Sequence, residues 1–166
     1  TPAEPSGPPP EPRFTEQATC PFCPGAEGKT PPDILTGHGP SGWQVRVVAN
    51  KFPALQIEGP LNKEGQGIYD KMSGVGAHEV IIEHPHHDAT FTTFTPEEVE
   101  KILWAYRERS LDLRRDRRFK YLLVFKNSGR SAGASLEHPH SQLIATPVVP
   151  KRVIEELHGA ESYFAY

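Results

Sequence analysis

The stretch Glu137-His138-Pro139-His140-Ser141-Gln142-Leu143-Ile144-Ala145 decides how this chain is read. Two histidines stand two residues apart, a glutamine follows at the same interval, and the segment runs on into apolar and small residues suited to a strand. Successive side chains of a strand point to opposite faces. An extended reading therefore puts His138, His140 and Gln142 on one face, with neighbours about 6.6 Å apart. Histidines on strands are ordinarily surface or core-edge residues. Three polar residues in one period-two register have a second use, an imidazole nucleophile beside an amide that steadies the atom it attacks. Just before them lies a small-residue loop, Asn127-Ser128-Gly129-Arg130-Ser131-Ala132-Gly133-Ala134-Ser135. Such a loop brings backbone N–H groups and hydroxyls against a phosphate.

Outward from this stretch, Pro147 and Pro150 end the strand, and Arg152 to His158 begin a second helix. Phe119 to Lys126 read as a strand before the small-residue loop. Upstream, Thr95-Pro96-Glu97-Glu98 is a helix start: Thr95 caps, Pro96 takes the first position and Glu98 closes a capping box. Val99, Ile102, Leu103, Tyr106 and Leu113 follow at helical spacing, which carries the helix to about Arg115. The run Arg114, Arg115, Arg117 and Arg118 reads as a solvated helix end that suits the negative end of the dipole. His78 to Glu83 is a buried strand, followed by the turn His84-Pro85-His86-His87-Asp88, whose histidines are solvated or include one metal ligand. Gly59 to Gly76 reads as a long polar loop. Trp43 to Ala49 alternates like a strand up to Asn50, a turn former or a ligand contact, and Pro53 breaks it. The element order predicts an α+β fold, an antiparallel sheet with a helix packed on one face.

The 166 residues suffice for one domain with a real core, at 36% hydrophobic and 23% charged. Thr1 to Pro12, rich in Pro, Glu and Gly, read as a disordered arm. A formal net charge of −3 argues against a general nucleic-acid binder. No apolar run approaches the ~20 residues that span a bilayer, so no membrane partner is expected. No signal peptide is visible, and the only cysteines form one C-x-x-C rather than a disulfide framework. A cytoplasmic protein is the expectation. Within Cys20-Pro21-Phe22-Cys23, a redox pair is disfavoured because Pro24-Gly25 and Thr30-Pro31-Pro32 forbid the helix that normally follows. A zinc knuckle fits better, with distant histidines completing a tetrahedral site.

Several blocks together resemble the galactose-1-phosphate uridylyltransferase family, the transferase branch of the histidine-triad superfamily. They are Cys20-Pro21-Phe22-Cys23-Pro24-Gly25, Val45 to Leu55, Phe125-Lys126-Asn127-Ser128-Gly129, and Gly133-Ala134-Ser135 leading to His138-Pro139-His140-Ser141-Gln142. The match runs from Thr19 to about Pro150. It implies a histidine-triad-like sheet stabilised by zinc, with Cys20, Cys23, His87 and His138 as ligands; the family's P-x-H pattern selects His87 over His86. It implies His140 as the nucleophile that takes a nucleotidyl group and Gln142 as the amide on the phosphate oxygens. Gly133, Ala134 and Ser135 would line the phosphates, and Asn50, Lys51 and Asn127 the nucleotide. The implied substrates are a nucleotide sugar and a sugar 1-phosphate, UDP-hexose with hexose 1-phosphate in a ping-pong reaction. An adenylyl-transferring phosphorylase on ADP-sugars or dinucleoside polyphosphates is the near variant, and a non-catalytic zinc-stabilised binding module the alternative of another class. Family members work as homodimers with two similar halves. The expected organisation is therefore an arm over 1–18, the N-terminal half over 19–158, and over 159–166 the start of a connection to a second half, as in a portion of a longer chain.

Overall fold

A computed structural model describes residues 17–129 and 131–165; the Pro-rich opening expected as an arm lies outside them through residue 16. In chain order the elements are β1 (Asp33–Gly39), β2 (Gly42–Ala49), β3 (Glu64–Gln66), β4 (Tyr69–Lys71), β5 (Ala77–Ile82), α1 (Pro96–Leu113), β6 (Tyr121–Phe125), β7 (His140–Thr146) and α2 (Lys151–Phe164). Five strands make one antiparallel sheet ordered β1-β2-β5-β7-β6, and β3 and β4 form a separate ribbon. The fold is α+β, as the element order predicts, with α1 against one face of the sheet.

The register assigns the two faces. Val47 pairs with Ile81, which pairs with Ser141; on the opposite face Val48 pairs with Val80, which pairs with Gln142. The first face carries Val45, Val47, Ile81, Leu143 and Ala145 into a core shared with Ala105 and Leu113 of α1. The second carries Val48, Val80 and Ile82 against Cys20, Phe22 and Cys23. The helix thus covers one side of the sheet and the C-x-x-C turn the other. His140, which pairs with Ile82, shares the second side with Gln142.

α1 starts as its sequence dictates. Glu98 N–H donates to Thr95 Oγ1 at 3.3 Å, and Thr95 N–H donates to Glu98 Oε2 at 2.8 Å. Its buried stripe is Ile102, Ala105, Arg109 and Leu113, where the helix ends two residues before the expected Arg115. Four local expectations differ. β1 is not legible in the sequence, because Gly37, His38 and Gly39 hide its alternation. Gly37 is required by a close approach: a Cβ there would lie 2.7 Å from Val45 Cγ1 and 3.2 Å from the Trp104 ring. The long loop from Gly59 to Gly76 contains the β3–β4 ribbon, whose residues are all exposed and so show no burial pattern. β7 starts at His140, so His138 precedes the strand. α2 continues past His158 to Phe164, with residues 159–164 helical and none of its residues buried.

Arg109 in the buried stripe is explained by β5. Its Nε and Nη2 each donate to Glu79 at 2.8 Å, with both side chains under one-tenth exposed. This bidentate pair fastens α1 to the central sheet. Removing one partner strands a buried charge, so Arg109→Leu is expected to lower stability by about 3–5 kcal/mol. The double substitution Arg109→Leu/Glu79→Leu should recover most of that loss in chemical denaturation. Equal instability of single and double variants would remove the pair from this role.

Candidate functional site

The Phe22 N–H donates to Cys20 Sγ at 3.4 Å, and the turn that follows Cys23 is closed by the Ala26 N–H donating to the Cys23 carbonyl at 3.0 Å. Donor atoms of Cys20, Cys23, His87 and His138 all lie within 4.8 Å of one another, and all four residues are buried. Cys23 Sγ is 3.4 Å from His87 Nδ1 and 3.5 Å from His138 Nδ1. His138 Nε2–H donates to the His84 carbonyl at 2.7 Å, which leaves Nδ1 bare toward the cluster. Burial, with Cys20 beside it, pushes the Cys23 thiol up to about 11. Burial also pulls His138 down to about 4. A dry pocket that resists thiolates and keeps imidazole neutral gains most from a cation, which replaces the thiol protons and takes the imidazole lone pairs. The four residues can hold a metal ion.

His138 therefore belongs to the cluster, while His140 and Gln142 face a cleft. The expected row of three divides at Pro139, although Phe22 still meets both imidazoles edge-on, at 6.0 Å for His138 and 5.4 Å for His140. The cleft, about 650 Å³, is walled by Phe22, Lys29, Thr30, Val48, Val80 and Leu136, with Asn50, Lys51, Ser135, His140 and Gln142 supplying the polar lining expected from sequence. The wall around Thr30 is held by Arg46, which donates to Thr30 Oγ1 at 3.0 Å and to Asp33 Oδ1 at 2.6 Å.

His140 Nδ1–H donates to the His138 carbonyl at 2.8 Å. That fixes the tautomer and leaves Nε2 with its lone pair. Burial lowers the pKa of His140 below the ordinary histidine value, favouring the unprotonated ring. A smaller hollow of about 370 Å³ also reaches His140, lined by Thr90, Phe91, Lys126, Asn127, Ser128 and Gly129. Asn127 thus faces this second hollow, apart from Asn50 and Lys51. Gly133 and Ala134 line neither space; Gly133, at φ +82°, turns the loop, and the Ala134 N–H donates to the Gly129 carbonyl at 3.1 Å.

Three polar residues at this site were not singled out from sequence. His78 lies 2.8 Å from Gln142 Oε1 and 3.0 Å from Asn50 Nδ2. Lys126 donates to the His140 carbonyl at 3.2 Å and pairs with the buried Glu83. The available signal was period two: His78 shares its strand face with Val80 and Ile82, diagonal to Gln142.

Several known proteins resemble this chain over most of its length. A sequence profile described as "Galactose-1-phosphate uridyl transferase, N-terminal domain" matches residues 2–150. The chain is 37% identical over 164 residues to ADP-glucose phosphorylase of Arabidopsis thaliana, covering 96% of this chain and 45% of that protein. It is 30% identical over 126 residues to galactose-1-phosphate uridylyltransferase of Thermotoga maritima, covering 75% of this chain and 40% of that protein. Among solved structures, the Arabidopsis ADP-glucose phosphorylase with bound ADP-glucose superposes with a TM-score of 0.76 at 34% identity, over 89% of this chain and 46% of that one. A structure described as a uridylyltransferase gives a TM-score of 0.72 at 31% identity, over 93% of this chain and 47% of that one. The chain spans somewhat under half the length of these relatives.

The cluster makes a prediction about metal and acid. Purified protein should carry one metal ion per chain, and Cys20→Ser/Cys23→Ser should carry none and melt at a lower temperature. In metal-stripped protein, the unfolded chain takes up a proton at His138 that the folded chain refuses. The contribution of His138 to stability is then fully present above about 6.5 and is lost as pH drops toward about 4. Elemental analysis and denaturation at several pH values check both; full metal retention in the double variant would discard the cluster as the binding site.

Proposed function

This chain belongs to the galactose-1-phosphate uridyl transferase family, and on that premise we propose that it carries the nucleophilic half-site of a nucleotidyltransferase acting on nucleotide sugars. One observation carries the reading: His140, its Nδ1–H tied to a backbone carbonyl, lines a cleft beside Gln142 and is also reached by a second hollow. His140 Nε2 attacks the α-phosphorus, forming an N–P bond as the P–O bond to the sugar phosphate breaks. The sugar 1-phosphate leaves with that electron pair, and Nδ1 keeps its proton throughout. An acceptor phosphate oxygen then attacks phosphorus and the N–P bond breaks, restoring the neutral imidazole. Two easier displacements replace one hard one. Gln142 donates to phosphate oxygens as charge builds there. Ser135, Asn50 and Lys51 line the donor's side, while Asn127 and Lys126 face the hollow open to the partner phosphate.

Zinc is the ion we assign to Cys20, Cys23, His87 and His138. Two cysteine sulfurs and two imidazole nitrogens are a donor set that zinc would take in a closed four-coordinate site, and the four donor atoms gather within 4.8 Å of one another. With four protein ligands it would supply cross-linking rather than Lewis-acid chemistry. A zinc module without catalysis needs neither His140 nor Gln142, and both face the cleft.

The acceptor divides two readings of one covalent step. Uridylyl transfer uses a hexose 1-phosphate; a phosphorylase uses inorganic phosphate on an ADP-sugar. The identity to the Arabidopsis phosphorylase, 37% over 96% of this chain, favours the adenylyl reading. The same family reading carries a homodimer, which light scattering of the intact protein tests.

Incubation with UDP-glucose or ADP-glucose labelled in the nucleotide, followed by peptide mapping, is expected to place an acid-labile, base-stable label on His140. The base that labels names the donor. His140→Gly should keep its metal and fold yet lose about four or more orders of magnitude in turnover. Gln142→Ala should lose roughly ten- to a hundredfold, in line with one hydrogen bond to a charged group worth about 1.5–3 kcal/mol. Label on another residue, or a His140→Gly protein that turns over at the parent rate, sinks the assignment.

A further inference from the structure

We infer that His78 is a positioning residue, whose Nε2–H holds the Gln142 side chain with its amide nitrogen turned toward the cleft as an anion donor. The inference rests on the nucleotidyl-transfer reading for its purpose, but its geometry stands apart from it.

Two backbone N–H groups, which can only donate, fix the orientation of both side chains. The Ala54 N–H donates to His78 Nδ1 at 3.1 Å. Nδ1 therefore carries no proton, and the ring's single N–H is at Nε2. The Phe52 N–H donates to Asn50 Oδ1 at 2.9 Å, which turns the Asn50 amide nitrogen inward. Both donors then converge on one atom. His78 Nε2 lies 2.8 Å from Gln142 Oε1, and Asn50 Nδ2 lies 3.4 Å from it. The 3.0 Å approach of Asn50 Nδ2 to His78 Nε2 follows from two N–H groups sharing an acceptor. A carbonyl oxygen has two lone pairs, and both are engaged here.

Gln142 has no comparable alternative. Turning its amide over would set an NH₂ group against two N–H donors and leave all three without acceptors. Its Nε2 is thus directed away from His78 and Asn50, on a residue that lines the cleft. Gln142 therefore meets a ligand there as a donor, the polarity an anionic phosphate oxygen requires and an amide free to flip would not guarantee. The short run Asn50-Lys51-Phe52-Pro53-Ala54 serves this purpose with its backbone: Phe52 orients Asn50, and Ala54 orients His78.

A purely structural role, pinning the Ala54 segment through Nδ1, is the competing explanation, and two variants separate them. His78→Asn keeps an acceptor near Nδ1 and loses the Nε2–H. His78→Gln keeps a donor near Nε2. With labelled ADP-glucose and UDP-glucose in the full-length enzyme, His78→Asn should lower turnover roughly tenfold or more, and His78→Gln should recover most of it. In a Gln142→Ala background, His78→Asn should cost no further activity. A loss that persists undiminished in that background, or His78→Asn at the parent rate, overturns the inference. Nitrogen-15 NMR of the parent protein gives a readout independent of catalysis: His78 should be protonated at Nε2 and bare at Nδ1, and the opposite tautomer also overturns it. If the parent transfers no nucleotide, the functional reading fails while the tautomer still decides the orientation of Gln142.

Discussion

The hydrogen bond from His140 Nδ1 to the carbonyl of His138 is the contact around which this structure is arranged. It spans two residues, yet each end belongs to a different apparatus. His138 is fixed by the cluster with Cys20, Cys23 and His87, and by its own Nε2–H on the His84 carbonyl. Holding that backbone rigid gives the His140 ring a fixed partner. A metal ion there would reach the nucleophile through geometry alone. The arrangement needs His138 outside the strand, because a ring in register with His140 and Gln142 would occupy the cleft instead of the cluster. Pro139 makes the break, and its carbonyl accepts from the Glu83 N–H at 3.0 Å, so the chain leaves the ladder without loosening.

The sheet lets one strand serve two tasks. β7 alternates between Leu143 and Ala145, which enter the helix-side core, and His140 and Gln142, which face the cleft. A slip of one residue would bury the polar pair under α1 and expose the core pair, so packing and site share a single register. The C-x-x-C turn then covers the face α1 does not, with Phe22 touching both imidazoles.

Much of this was legible in residue types. The capping box, the period-two strand and the paired thiols each rest on local chemistry that tertiary context leaves intact. What was hidden shares a different cause. β1 is obscured by Gly37 and Gly39, and Gly37 is kept small by Val45 of β2 and Trp104 of α1, a constraint that exists only once the sheet and helix are packed. The β3–β4 ribbon buries nothing and so leaves no alternation to read. His78 reads as an ordinary strand residue until its neighbour across the ladder is known. His138 reads as the first residue of the strand row yet lies before β7, since spacing alone does not reveal where a strand begins.

Behind His140 lies a buried charge. Glu83 is 1% exposed and is met by Lys126 and by the Tyr106 hydroxyl, which donates to it at 3.2 Å. Tyr106 also bonds Ser141 on β7 at 2.7 Å, and burial raises its pKa so that the hydroxyl stays protonated. Lys126 reaches back to the His140 carbonyl. An isolated carboxylate at this depth would favour the protonated imidazole nearby, which has no lone pair to attack with. Lys126 opposes it, and the two charges act on His140 in opposite senses, so burial decides the balance in favour of the neutral ring. The pair thus ties α1, β6 and β7 together at the carbonyl of His140 while leaving the imidazole's basicity to its apolar surroundings.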